Sequence, residues 1–294
     1  MTNSRPPRTG KTHRQENFPV ASFVIRAEHR SPILAFYYFV RAADDVADSA
    51  TMAPDEKIAR LDAMEAALLS GAVKDAALEA TRLRVELAER GLSPRHAQDL
   101  LKAFRLDATK KRYPDWGELM AYCALSAMPV GRFVLDVHGE SPATWPASDA
   151  ICAALQIINH LQDCGEDYRE LDRVYVPLDA LAARGLGVEA LGEKVASPGL
   201  RACVADLARR CEGLLRDGAA LADNVVDWRL RMEICVIRSL ALRLTELLTA
   251  RDPLAGEVHL SKWEAGGAAL LAIAQAAIRG RRFASRPAAS EARP

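Results

Sequence analysis

A surplus of charge is missing from this chain: Lys+Arg and Asp+Glu both count 39 among 294 residues. No global field recruits nucleic acid, and anion binding must rest on local patches. Aromatic residues are scarce at 6%, while hydrophobic residues, mostly Ala and Leu, fill half the sequence. That balance favours helices over strands and predicts an all-α protein. The six cysteines (Cys123, Cys152, Cys164, Cys203, Cys211 and Cys235) form no CxxC pair, which argues against a zinc ribbon or a dithiol redox centre. They read as reduced core thiols of a cytoplasmic protein. GxGxxG and P-loop signatures are absent, as are solenoid repeats. No apolar run is long enough to span a bilayer, and the basic start MTNSRPPRTGKTHRQ lacks the apolar centre of a signal peptide.

No linker interrupts the sequence, so a single helical domain over 16–282 is expected, flanked by compositionally disordered segments at 1–15 and 283–294. Within it, 18–48 reads as a short helix, a break near Ser31-Pro32 with Pro32 at a first helical position, and a long helix. Helices are expected at 54–70, stopped by Gly71, and at 74–90, stopped by Gly91. Ser93 is placed as an N-cap with Pro94 next to it, opening a helix toward Lys110. Residues 115–138 should form one apolar helix kinked by Pro129, and 148–171 a second in which Gly165 suggests a close approach. Further helices are expected at 198–223, 226–250 and 261–280.

Two acidic runs stand out, DDVAD from Asp44 to Asp48 and DCGED from Asp163 to Asp167. Each sets carboxylates four residues apart, one turn apart on a helix face. Stepping back from the first gives Tyr37 and Arg41 on the same face; stepping back from the second gives Gln156 and Asn159, with His160 and Glu166 on the flanks. A lone DxxxD is ordinarily a solvated face or an ion-pair site. Two such stripes on otherwise apolar helices are different, because burying those groups without partners costs several kcal/mol each. Turned toward each other, they would form a cage of oxygen ligands for several Mg²⁺ ions, completed by water and a substrate diphosphate. His160 is expected to be a hydrogen-bonded structural residue, and the run Lys110, Lys111, Arg112 a solvated helix end.

These motifs resemble the squalene and phytoene synthases, all-α enzymes of isoprenoid chemistry with a central cavity. The likeness runs over about 17–263. It is most specific in QIINHLQDCGEDYRELDRVYVP, with ASF at 21–23, YYFVRAADDVAD at 37–48 and YCALSAMPVG at 122–131 in support. The resemblance implies Asp44, Asp48, Asp163 and Asp167 as Mg²⁺ ligands. It also implies that Arg41, Gln156, Asn159, Arg173 and Tyr175 contact or orient the diphosphate and its metals. Ser22, Phe23, Tyr37, Tyr122, Met128 and Phe133 would then line the substrate cavity.

Two departures from the common pattern, Met128-Pro129 in the central motif and Gln162 where relatives carry Arg, look like the hopanoid-pathway hydroxysqualene synthase branch. That branch implies ionisation of presqualene diphosphate, rearrangement, and quenching by water. Two rivals stay open: condensation of two farnesyl diphosphates, and a noncatalytic scaffold role beside other squalene-pathway enzymes. An apolar stretch at 268–278 followed by Arg279, Arg281 and Arg282 would suit peripheral contact with an anionic membrane, against the simpler expectation of terminal-helix packing.

Overall fold

The computed structural model describes residues 26–71, 78–261, 264–268 and 272. The expected disordered ends, Ser22, Phe23 and nearly all of 268–282 lie outside the described residues. Residues 264–268 are helical, and twelve further α-helices can be bounded among the described residues. They are α1 (Ala27–Ala47), α2 (Pro54–Ser70), α3 (Leu78–Arg90), α4 (Arg95–Thr109), α5 (Trp116–Ser126) and α6 (Met128–Val137). They continue as α7 (Trp145–Gln162), α8 (Cys164–Leu171), α9 (Leu178–Ala182), α10 (Pro198–Asp217), α11 (Leu221–Asn224) and α12 (Trp228–Ala250). Among the described residues there is no strand, only an isolated parallel bridge between Arg112 and Val174.

Local chemistry explains most boundaries. Pro54 opens α2, and Gly71, at φ 67°, closes it in the left-handed conformation that glycine adopts without strain. The Ser93 hydroxyl accepts from Arg95 N–H at 3.3 Å, Ser197 caps α10 through Leu200 N–H, and Asp227 caps α12 through Arg229 and Leu230 N–H. Ser261 and Glu264 form a reciprocal capping box.

Four expectations need correction. There is no break at Ser31-Pro32: α1 runs straight through Pro32, whose ring is buried beside Ile33 and Phe36, while the Ser31 hydroxyl donates to Glu86. The stretch from 115 to 138 is two helices rather than one kinked helix, broken at Ala127, so that Pro129 falls in the first turn of α6 where its missing N–H needs no partner. The stretch from 148 to 171 is likewise divided at Asp163, whose φ of −99° and ψ of 7° end α7. The helix expected over 198–223 ends at Asp217 and turns through Gly218, which lies so close to Ala147 O and Ile151 of α7 that a Cβ there would collide with both.

The span Trp116–Val137 is by length and composition apolar enough to cross a membrane, contrary to the sequence expectation. It is nevertheless built into the bundle through Leu119, Tyr122, Cys123, Phe133 and Leu135, all buried.

The apolar interior divides into two clusters. One joins α1 to α4 and α6 around Phe39, Leu61, Leu83 and Leu101. The other surrounds α7, where Ala153, Ala154, Ile157 and Ile158 pack against α10 and α12. The cysteines are free thiols. Burial pushes the Cys164 thiol up to about 12 and the Cys152 thiol to about 11, so both are neutral and unreactive.

Candidate active site

The two cores meet where the end of α1 faces the segment after α8. That segment is fixed by backbone pairing: Val174 N–H donates to Lys111 O at 2.9 Å, and Leu178 N–H to Tyr113 O at 2.9 Å. Arg173 and Tyr175 are thereby held against α1 and α4. The Arg173 guanidinium is buried and uses all three nitrogens. Nη1 donates to Asp48 Oδ1 at 2.5 Å, Nη2 to Ala47 O at 2.9 Å, and Nε to Asp107 O at 3.2 Å.

Asp107 is the centre of a polar knot inside the bundle. Its Oδ2 accepts from Tyr122 OH at 2.8 Å and its Oδ1 from Tyr175 OH at 2.9 Å. Burial raises its pKa, opposed by Arg173 and by these two hydrogen bonds. Tyr113 stacks on Tyr175 at 5.4 Å, and His160 stacks on Tyr175 at 3.5 Å. His160 Nε2 lies 3.0 Å from the Gln156 amide nitrogen, and Nδ1 lies 3.7 Å from Asp167 Oδ2. With the amide donating to Nε2, the ring proton sits on Nδ1 and faces the Asp167 carboxylate. This is the structural role expected of His160.

Asp48, Arg173, Asp107 and Tyr175 are joined by hydrogen bonds, and the stack of Tyr175 on His160, whose Nδ1 is 3.7 Å from Asp167, continues the path from the first acidic run to the second. Asp48 lies one residue past the end of α1. Asp167, in α8, keeps its helical bond to Asp163 O at 2.8 Å across the break, so the spacing of the second pair survives the division of the helix. Asp44 stays 39% exposed, yet the protein around it desolvates it and, with the charge of Asp48, lifts its pKa to about 7 against the pull of Arg41. A carboxylate that is wet but enclosed, beside a second carboxylate, has the electrostatics of a site suited to a cation. The donor set is all carboxylate oxygen, which suits a hard divalent ion.

Arg41 reaches Asp44 at 3.3 Å and Asp45 at 3.0 Å. Tyr37, half-buried on the same face, meets Tyr38 edge-on. Asn159 precedes Asp163 by one turn on α7, and Met128 at the start of α6 is half-buried against the α7 core. Phe133 departs from the expected cavity wall: at 1% exposure it stacks on Phe36 at 3.9 Å inside the other core.

Sequence reasoning missed Asp107, Lys57 and Lys111. Lys57 donates to Ala47 O at 2.9 Å, and burial, followed by Arg173 and Lys111, lowers its pKa. Lys57 is within electrostatic reach of Arg173, Lys111 and Asp48, so positive charge gathers at the end of α1, where a departing anion would need it. The expected solvated run is instead engaged throughout, with Lys110 on Glu118, Lys111 on Leu171 O and Arg112 on Asp172. The basic run Lys110, Lys111, Arg112 close after Asp107 in sequence was the available hint. Gly165 is also explained: a Cβ there would stand 2.6 Å from Leu254 Cδ2 and 3.3 Å from Leu191 O, so the close approach comes from the protein's own packing.

The sequence profile of squalene/phytoene synthase matches residues 11–264. The chain belongs to the squalene/phytoene synthase family. Among relatives, a hydroxysqualene synthase of Sinorhizobium fredii is 54% identical over 96% of this chain and 98% of its own length. A hydroxysqualene synthase of Rhodopseudomonas palustris is 56% identical over 90% of each chain. A crystal structure of squalene synthase HpnC from Alicyclobacillus acidocaldarius superimposes with TM-score 0.69 at 31% identity, covering 77% of this chain and 85% of that one. A dehydrosqualene synthase with bound ligand, 21% identical, shares the fold with TM-score 0.77 over 90% of this chain and 92% of its own. The helical bundle found here is therefore the fold of solved squalene synthase-like proteins.

Proposed function

We propose that this squalene/phytoene synthase family member converts presqualene diphosphate and water into hydroxysqualene and diphosphate. The observation that carries this reading is 54% identity across 96% of the chain to a protein named for that product. In the reaction the C–O bond to the diphosphate breaks with its electron pair leaving on the diphosphate. The cyclopropylcarbinyl cation opens its ring, and water adds to carbon with loss of one proton.

Asp44, Asp48, Asp163 and Asp167 would hold Mg²⁺, which supplies positive charge to the leaving diphosphate. Arg41, Lys57 and Lys111 add fixed positive charge to the same region and stabilise the charge that develops on departure. Arg173, with every nitrogen already engaged, holds Asp48 in place. Gln156 and His160 do the same for Asp167, and Asn159 stands one turn before Asp163 on α7. Tyr37, Tyr122 and Met128 would make the wall that shields the cation, aromatic faces stabilising it and excluding stray water. Tyr122 and Tyr175 are kept from rotating by Asp107.

Purified protein should turn presqualene diphosphate into hydroxysqualene with Mg²⁺ and without NADPH, the lipid identified by mass. Consumption of farnesyl diphosphate instead would reassign it to the condensing members of the family. Unchanged diphosphate release by Asp163→Ala would remove the metal assignment.

A further inference from the structure

At the other end of α1, about 22 Å from Asp44 at 1.5 Å per residue, three side chains meet that the proposed reaction does not use. His29 lies in the first turn of α1, His138 caps the end of α6, and Asp227 caps the start of α12. One ligand atom from each lies within 4.8 Å of the other two. The imidazoles overlap with centroids 4.2 Å apart, tilted by 34°. Asp227 Oδ1 is bound to the helix cap, with Arg229 N–H at 2.8 Å, which turns Oδ2 toward the histidines. Oδ2 stands 3.2 Å from His138 Nδ1.

We propose that His29, His138 and Asp227 bind a Zn²⁺ ion that fastens α1, α6 and α12 together. Ligand atoms about 2.0–2.1 Å from a tetrahedral zinc are separated by about 3.3 Å, close to the observed His138–Asp227 distance. The His138 side chain has no exposed surface, and its Nε2 has no hydrogen-bond partner among the described residues. A zinc ion would take Nδ1, the nitrogen beside Asp227, in place of its proton, and leave Nε2 as it is. Two imidazole nitrogens and a carboxylate make a borderline donor set that favours zinc over magnesium.

The surrounding charge is mixed. Arg26 Nε lies 3.6 Å from Asp227 Oδ2 and opposes a cation, but its side chain is half exposed and can swing away. Glu28 lies 3.6 Å from His29 Nε2, and Glu140 accepts from the Val226 and Asp227 N–H groups beside the cluster. The Arg231 guanidinium is also near, donating to Val225 O at 2.8 Å, so three carboxylates, Asp227 included, face two guanidiniums.

The test uses the full chain without a polyhistidine tag, stripped with EDTA, dialysed, and titrated with Zn²⁺ in calorimetry and with Co²⁺ as a visible-absorbance probe. In the Asp44→Asn/Asp163→Asn background, which weakens the separate acidic site, one equivalent of each should bind, with a Co²⁺ d–d band. His29→Ala, a partly exposed position, should weaken binding at least tenfold and erase the band. Asp227→Asn keeps the helix cap while removing the charge and should do the same. Asp44→Asn/Asp163→Asn, at the far end of the molecule, should retain both binding and band. Zinc should also raise the melting temperature of the wild type and not that of His29→Ala. If wild type takes up no more Zn²⁺ or Co²⁺ than the His29 and Asp227 variants, the cluster is a hydrogen-bonded imidazole stack and the proposal is wrong.

Discussion

Arg173 and Asp48 stand 125 residues apart in sequence and 2.5 Å apart in space. Because the same guanidinium also holds Ala47 O and Asp107 O, this contact sets the position of the last carboxylate of the first acidic run. Arg173→Gln would leave Asp48 without its cation and two buried carbonyls without donors. A loss of about 3–5 kcal/mol is expected in chemical denaturation, together with a fall in kcat. Arg173→Lys should recover only part of either, since one ammonium cannot reproduce the three-way grip.

Tyr122 and Tyr175 are expected to be energetically coupled through Asp107. Removing either hydroxyl leaves a carboxylate oxygen unpaired in the interior, costing about 1–3 kcal/mol. A double-mutant cycle of Tyr122→Phe and Tyr175→Phe should show non-additivity above about 0.5 kcal/mol. Strict additivity would mean that the two hydroxyls do not share one acceptor.

Gly165→Ala decides between two opposing effects. Alanine gains about 1 kcal/mol in helix propensity over glycine, but its Cβ would press on Leu254 and on the Leu191 carbonyl. Overpacking against backbone costs about 1–3 kcal/mol, so net destabilisation is expected. Adding Leu254→Ala should lessen the penalty of the Gly165 change, measured as a difference of urea midpoints.

Stability should fall on acidification through His96. This residue is 1% exposed, its Nε2 lies 2.9 Å from Asp136 Oδ2, and burial lowers its pKa below 6.5 despite that partner. The native state therefore binds its proton less readily than the unfolded chain does. The stabilisation is complete above about pH 6.5 and is lost as pH falls toward the folded pKa, by at most about 1.4 kcal/mol per pH unit. His138, also lowered, acts in the same direction. Urea midpoints at pH 7.5 and 5.5 should differ less in His96→Gln than in wild type.

Much of this was legible along the chain, and what was not has a common cause. Pro54 and Gly71 delimit α2 through local backbone preference, and the four-residue spacing of Asp44 with Asp48 and of Asp163 with Asp167 marks both acidic runs. Asp107 gave no such signal, because its partners Tyr122 and Tyr175 come from 15 and 68 residues away and only the pairing of Val174 with Lys111 brings them in. Pro32 misled in the other direction: a local rule for helix starts yielded to burial of its ring in the α1 core. The divisions at Ala127 and Asp163 were missed because apolar periodicity continues across both.

The separate packing of the two cores makes the gap between the acidic runs adjustable. Asp44 and Asp48 travel with one core, Asp163 and Asp167 with the other, and Arg173 sits across the seam like the screw of a calliper. A substitution that shifts one core as a body would change the span offered to bound ions without disturbing the helix that carries either pair, so metal preference can drift while each half of the bundle stays intact.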